Sequence, residues 1–162
     1  LNYCTVANYT PLFLRRETAS LSFTNDPADS RPLVSPITIG VNINNSIVWG
    51  SIAEELFFKN SDRYRSSLNI RNSLLRTREY AAATDAANKP GLGNAALNNL
   101  LNVNPKFKRT PENAANKYDY RLDTLSPASN RARFDALVPR DLVNKARSTT
   151  APDLGAYERV NP

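Results

Sequence analysis

Two eight-residue stretches of this chain follow one pattern. Val41-Asn42-Ile43-Asn44-Asn45-Ser46-Ile47-Val48 aligns with Leu68-Asn69-Ile70-Arg71-Asn72-Ser73-Leu74-Leu75, 27 residues later. Both read apolar, Asn, Ile, any, Asn, Ser, apolar, apolar. The start of the chain supplies a third copy: Tyr3-Cys4-Thr5-Val6-Ala7-Asn8 aligns with Asn45-Ser46-Ile47-Val48-Trp49-Gly50 at an offset of 42. The longer offset places an insertion between the first two copies. Repeats of this length, each carrying one strand signal, are the mark of a solenoid, in which no repeat can bury its apolar face alone. Stacked strands lie about 4.8 Å apart, so equivalent residues fall on one another and inward aliphatics build a continuous core. Asparagine suits the bends because it accepts left-handed backbone, and its amides can pair along the stack. Asn45 and Asn72 are expected to form such a ladder near one bend, with Ile47 and Leu74 buried. Positive φ is expected at Gly50 and Asn8, which end their strands. The competing arrangement is an antiparallel sandwich whose strands are alike by coincidence.

Other segments fit around these copies. Apolar and β-branched stretches at Leu12 to Leu14, Leu33 to Val34 and Ile37 to Val48 predict strands. Residues 23–36 carry three prolines, two aspartates and two serines and predict a loop. Residues 52–58 suit a short amphipathic helix or a strand. Leu97, Leu100 and Leu101 have helical spacing and predict a short helix over 94–101. From residue 104 onward the prolines at 105, 111, 127, 139, 152 and 162 disfavour a long helix and argue for short strands and turns. The expected organisation is one domain or fragment. Residues 1–78 form coils with an inserted loop at 12–36, residues 79–103 a helical or loop insertion, and residues 104–162 the C-terminal strands and cap.

Most of the chain carries a family resemblance. Asn45-Ser46-Ile47-Val48-Trp49-Gly50 resembles the N-S-I-I-W-G strand of secreted bacterial right-handed parallel β-helix repeat proteins. Asn104-Pro105-Lys106-Phe107, then Asp119-Tyr120-Arg121-Leu122 and Ser126-Pro127-Ala128, resemble their late D-P-x-F, D-Y-x-L and S-P-A segments. Asp141-Leu142-Val143-Asn144-Lys145-Ala146-Arg147 resembles D-x-x-G-x-x-R. Pro152-Asp153-Leu154-Gly155-Ala156-Tyr157-Glu158 is close to the P-D-I-G-A-Y-E terminus, and order and spacing agree over roughly residues 41–158. The resemblance implies an all-β fold: the last coils and C-terminal cap of a right-handed parallel β-helix, with short helical and loop insertions. It also implies an extracellular or outer-membrane-surface location in a Bacteroidota-like bacterium. Asn104 replaces the usual Asp, Asn144 the usual Gly, and Ser129-Asn130-Arg131 the usual I-D-A-G stretch, which argues against a calcium or catalytic carboxylate there. The terminal motif has the alternation of a strand. Gly155 would allow close approach to the coil beneath, and Glu158 and Arg159 would place charge on the last edge.

Composition removes several chemistries. The chain has 162 residues, no histidine, one cysteine, and neither methionine nor glutamine. A Ser-His-Asp triad, a Cys-His pair, an internal disulfide and a His/Cys metal site are all excluded. No transition metal or organic cofactor is expected, and only calcium on oxygen ligands stays open. No apolar run reaches the roughly 20 residues that span a bilayer. The net charge is +6, and 15 of the 21 basic residues are arginine.

Three functional readings follow. The first is a non-catalytic secreted or surface β-helix module presenting a face for a glycan or a partner protein. The alternative is a polysaccharide lyase or hydrolase whose active site lies on these or on upstream coils. Asp62, Arg63 and Arg65, and Asp119 with Asp123, are its candidate groups, though each set is also what a solvated turn contains. The third is a polyanion binder built on the basic pairs Arg15-Arg16, Arg63-x-Arg65, Arg76-x-Arg78, Lys106-x-Lys108-Arg109 and Arg131-x-Arg133. No nucleic-acid motif accompanies them. The possible ligand-facing residues are Arg63, Tyr64, Arg65, Arg76 and Arg78. The start at Leu1, just before a repeat strand, leads to the expectation of a processed product or fragment. Its first coil would be covered by upstream coils of the same precursor or by a partner protein.

Overall fold

The computed structural model describes residues 1–11, 14–24, 39–59, 61, 64–86 and 89–159. Its elements are almost all short strands: β1 (Thr5–Asn8), β2 (Leu21–Thr24), β3 (Val41–Asn44), β4 (Ile47–Gly50), β5 (Leu56–Lys59), β6 (Leu68–Arg71), β7 (Leu74–Leu75), β8 (Leu100–Leu101), β9 (Phe107–Arg109) and β10 (Asp119–Leu122). The only helical pieces among the described residues are 3-10 turns such as Arg65–Ser67 and Ala95–Leu97. The chain is all-β.

Three sheets are parallel, in the orders β1-β4-β7-β8, β2-β5 and β3-β6. The chain visits them cyclically, as β3, β4, β5 and then β6, β7. The register is the one the repeat predicts. Thr5 pairs with Ile47 and Ile47 with Leu74, and a further pairing outside the three copies joins Leu74 to Leu100. Val41 pairs with Leu68 and Ile43 with Ile70. β9 and β10 form a separate antiparallel pair.

Alternation along the largest sheet divides the apolar residues between two cores. Val48 and Leu75 point to one side and join Val41, Ile43, Leu56, Phe58 and Ile70. Ile47, Trp49 and Leu74 point to the other, where Phe107, Leu122, Ala128 and Leu154 cover them. The C-terminal segment therefore lies across the outer face of the sheet. This corrects the expected end cap: the Gly155 amide donates to the Asn45 carbonyl at 2.8 Å, and the Ala156 amide donates to Thr5 Oγ1 at 2.9 Å. Residues 154–156 form a bend and not the expected strand. Gly155 has φ +86°, and a Cβ there would meet Thr5 Oγ1 and Ile47.

The repeat's Asn-Ser pair has a clear local cause. Asn45, Asn72 and Asn98 adopt φ of 51°, 47° and 53°, and Tyr3 takes the same place in the first copy at 51°. Each serine then turns its hydroxyl back to the carbonyl two residues earlier, Ser46 to Asn44 at 2.6 Å and Ser73 to Arg71 at 2.8 Å. The same hydroxyls accept amides from the neighbouring copy. Cys4 N–H donates to Ser46 Oγ at 3.1 Å, and Ser46 N–H to Ser73 Oγ at 3.2 Å. Asn99 Oδ1 takes over this role for Ser73 N–H at 3.1 Å. The corner thus satisfies backbone groups that the turn removes from the sheets.

Other expectations are corrected. Residues 94–101 contain the 3-10 turn and β8 in place of one helix: Asn98 is left-handed, and Leu100 continues the parallel sheet. Of the two alternatives for residues 52–58, the strand is the one formed, as β5 from Leu56. Neither Gly50 nor Asn8 has positive φ; glycine is needed at 50 because a Cβ would strike the Glu55 carboxylate and the Asn8 carbonyl. Leu12, Leu33 and Val34, and most of the expected loop, lie outside the described residues.

Candidate binding groove

Of the five residues first expected to face a ligand, the four that are described do not converge. Tyr64 is 2% exposed, with its hydroxyl 3.1 Å and 3.0 Å from the Phe23 and Lys59 carbonyls, so its ring belongs to the core. The expectation that it faces a ligand is corrected. Arg65 donates to the Ala86 carbonyl at 2.7 Å and stands 3.5 Å from Asp85. Arg76 donates to the Gly50 carbonyl and stacks 4.8 Å from the centre of the Trp49 ring. Arg78 is exposed, and Arg63 lies outside the described residues, as does Asp62.

The carboxylates are occupied as well. Asp119 holds Arg121 through bonds of 2.8 and 2.6 Å, and that hydrogen-bonded guanidinium lowers the Asp119 pKa. Asp123 closes a turn on Thr124 N–H at 2.6 Å. Glu55, fully buried, meets Arg16 at 2.5 Å and accepts Ser20 Oγ. This pair was not foreseen, since nothing in the local pattern marks a buried acid in the turn after β4.

The terminal motifs have a structural use. Asp141 accepts from the amides of Val143, Lys145 and Glu158 at 3.0, 2.8 and 2.9 Å. Asp153 accepts from Asn130 and Arg159 amides, both at 2.7 Å. Glu158 accepts from Ser148 and Asp153 amides, both at 3.0 Å, and so sits inside the wrap and not on an edge. Arg147, 5% exposed, donates to the Gly155 carbonyl at 3.0 Å and lies 3.9 Å above the centre of the Tyr3 ring. Asn144 has φ 66°, which explains why a glycine suits its place. No group of three or more potential metal ligands occurs among the described residues.

What the wrap does create is a groove. Residues 131–136 run beside the left-handed corners of the parallel sheets and form a second wall. One cavity of about 310 Å³ lies between Asn2, Asn45 and Arg71 on one side and Arg133 to Ala136 on the other. A second, of about 490 Å³, lies between Asn72 and Asn98 and the stretch Arg131 to Phe134, with Thr149 and Thr150. Both share Asn72, Arg133 and Phe134, so they are neighbouring parts of one open cleft.

The asparagine ladder runs along its floor. Asn45 Nδ2 donates to Asn2 Oδ1 at 3.1 Å, and Asn98 Nδ2 to Asn72 Oδ1 at 3.0 Å. Between Asn45 and Asn72 the ladder is interrupted, because the Arg133 amide takes Asn45 Oδ1 at 2.9 Å. Asn45 and Asn72 both line this cleft at the left-handed corners, but the expected ladder does not join them directly. Tyr3 anchors the wall by donating to the Arg133 carbonyl at 2.7 Å. Burial is the main cause that pushes the Tyr3 pKa up to about 12, against a smaller opposing pull from Arg147. The pair Arg131-x-Arg133 was visible in the sequence among the basic pairs. Its meeting with the asparagine corners depends on a contact between residues 88 apart, Arg133 to Asn45.

No family model, curated protein or solved structure matches this chain. No helix among the described residues is long and apolar enough to cross a membrane.

Proposed function

We propose that this chain is part of a right-handed parallel β-helix that acts without catalysis and binds a glycan in the cleft along its asparagine corners. The repeat register, the cyclic order of the three sheets and the stacked left-handed asparagines support the coiled architecture. The observation that carries the binding role is the cleft itself, where amides, guanidinium groups and one aromatic ring meet. Amides offer paired donors and acceptors to sugar hydroxyls, and Phe134 offers an apolar surface for a sugar ring. Asp135, the one acid on the cleft's lining, already accepts from Asn2 Nδ2 at 2.8 Å and Leu137 N–H at 2.9 Å. That arrangement suits a binding wall better than a free acid-base pair.

The resemblance of the late motifs to surface β-helix proteins supports an extracellular or outer-membrane placement. Among the described residues, no strand pairs with the outer edge of β1 or of β8. Such edges invite a further coil of the same precursor or a partner protein. The binding role is tested on a glycan array with the purified chain. Saturable binding that Asn72→Ala and Phe134→Ala both weaken supports it, and binding that neither changes rejects the cleft as the site.

A further inference from the structure

The charge on the cleft narrows the ligand class. Resting on the glycan-binding reading above, we infer that the ligand is an acidic linear glycan, held through its carboxylate or sulfate groups by Arg71, Arg131 and Arg133. All three arginines are exposed on the cleft walls. No ion pair or side-chain hydrogen bond engages their guanidinium groups among the described residues, in contrast to Arg16, Arg65, Arg76, Arg121 and Arg147. Three cations therefore face one carboxylate, Asp135, whose oxygens are both occupied. A guanidinium fork matches a carboxylate or sulfate bidentately, and this is the strongest polar contact such a surface can make.

The uncharged groups beside them complete the match. With Asn98 Nδ2 committed to Asn72 Oδ1, the Asn72 Nδ2 hydrogens and Asn98 Oδ1 have no hydrogen bond among the described residues. They form a donor and an acceptor next to the cations, placed for hydroxyls. Equivalent corners recur about every 4.8 Å along the stack. An extended chain can therefore run along the asparagines of successive corners, with Arg71 on the corner side and Arg131 and Arg133 on the facing wall. A globular protein ligand has no such periodic demand, and stacking of nucleobases would need more than the single ring of Phe134.

The test is direct binding, measured calorimetrically, of oligogalacturonate, a heparin-type sulfated oligosaccharide, neutral dextran oligomers and single-stranded DNA. The proteins are the wild-type chain, R131A/R133A, and R78A/R109A as a control that loses the same charge elsewhere. Thermal melting checks that each variant is folded. The expected result is binding of the uronate or the sulfated glycan that weakens with salt, falls by about tenfold or more in R131A/R133A, and is unchanged in R78A/R109A. The responsive probe identifies the acid as carboxylate or sulfate. Equal binding of dextran, indifferent to the arginine variants, overturns the acidic class and leaves the glycan reading standing. DNA binding with the same variant dependence, and tighter than either glycan, overturns both in favour of nucleic acid. No binding to any probe also overturns both.

Discussion

Ser73→Ala isolates the corner chemistry that makes the repeat work. The Ser73 hydroxyl is fully buried, accepts the Ser46 amide at 3.2 Å and donates to the Arg71 carbonyl at 2.8 Å. Alanine keeps the volume nearly unchanged and removes both bonds. The Ser46 amide is then left without a partner in a place water does not reach, because Ser46 is also fully buried. An orphaned buried donor costs about 1–3 kcal/mol. The carbonyl adds less, since an under-satisfied C=O is better tolerated than an N–H. With a urea slope of about 2 kcal/mol/M, the unfolding midpoint should drop by roughly 0.5–1.5 M with the slope unchanged. Ser66→Ala, at an exposed serine in the neighbouring 3-10 turn, is the control and should move stability by less than about 0.5 kcal/mol. Equal midpoints for Ser73→Ala and Ser66→Ala would refute the reasoning, because the corner serines would then be ornamental.

Gly155→Ala should destabilise by roughly 2–5 kcal/mol, combining the cost of left-handed backbone with overpacking against Ile47, whereas Gly40→Ala, with open space around it, should be near neutral in the same denaturation assay. Burial raises the pKa values of Tyr3, Tyr9, Tyr80 and Tyr120. These tyrosines hold their protons in the folded chain at a pH where the unfolded chain has released them, so the fold binds more protons and stability falls as pH rises above about 10. Tyrosinate absorbance should accordingly lag behind that of the urea-unfolded chain above pH 10 and catch up in one step when the fold opens; a smooth titration identical to the unfolded chain would contradict the burial of these rings. Glu55→Gln should cost several kcal/mol by leaving the nearly buried Arg16 guanidinium without its counter-charge, read as a lowered melting temperature, and an unchanged melting temperature would show the pair to be dispensable.

The register was legible because the pattern carries a physical requirement at each place. Asparagine at 45 and 72 marks left-handed corners, and the aliphatics after them mark paired strands, so the 27-residue offset became the observed pairing of Ile47 with Leu74. The corner at Asn98 carries the same signal, but Leu97, Leu100 and Leu101 imitate helical spacing and masked it. Alternation also told that Ile47 and Val48 must point to opposite faces. It could not tell that both faces would be covered, because the cover comes from Phe107, Leu122 and Leu154, far along the chain. The cleft was harder still. Arg131 and Arg133 looked like one basic pair among five, and only the fold of the C-terminal wrap brings them beside Asn45 and Asn72. Tyr64 and Arg76 misled for a related reason: an aromatic or arginine near a basic pair reads as a surface contact, yet here one fills the core and the other stacks on Trp49.

The parallel stacking of repeats at an offset of 27 residues is tested most directly by a cysteine cross-link between β3 and β6. Asn42 and Asn69 are register partners, and their amides already touch, with Asn69 Nδ2 donating to Asn42 Oδ1 at 3.1 Å. Partners on neighbouring strands lie about 4.8 Å apart, inside the range a disulfide spans, whereas Asn42 and Arg71, displaced by two residues, lie roughly 8 Å apart. In a Cys4→Ala background, mild oxidation of N42C/N69C followed by peptide mass mapping should give an intramolecular disulfide in high yield, and N42C/R71C should give little. Failure of N42C/N69C to cross-link, or preferential closure of the displaced pair, would contradict the stacked register on which the corners, the cleft and the proposed function rest.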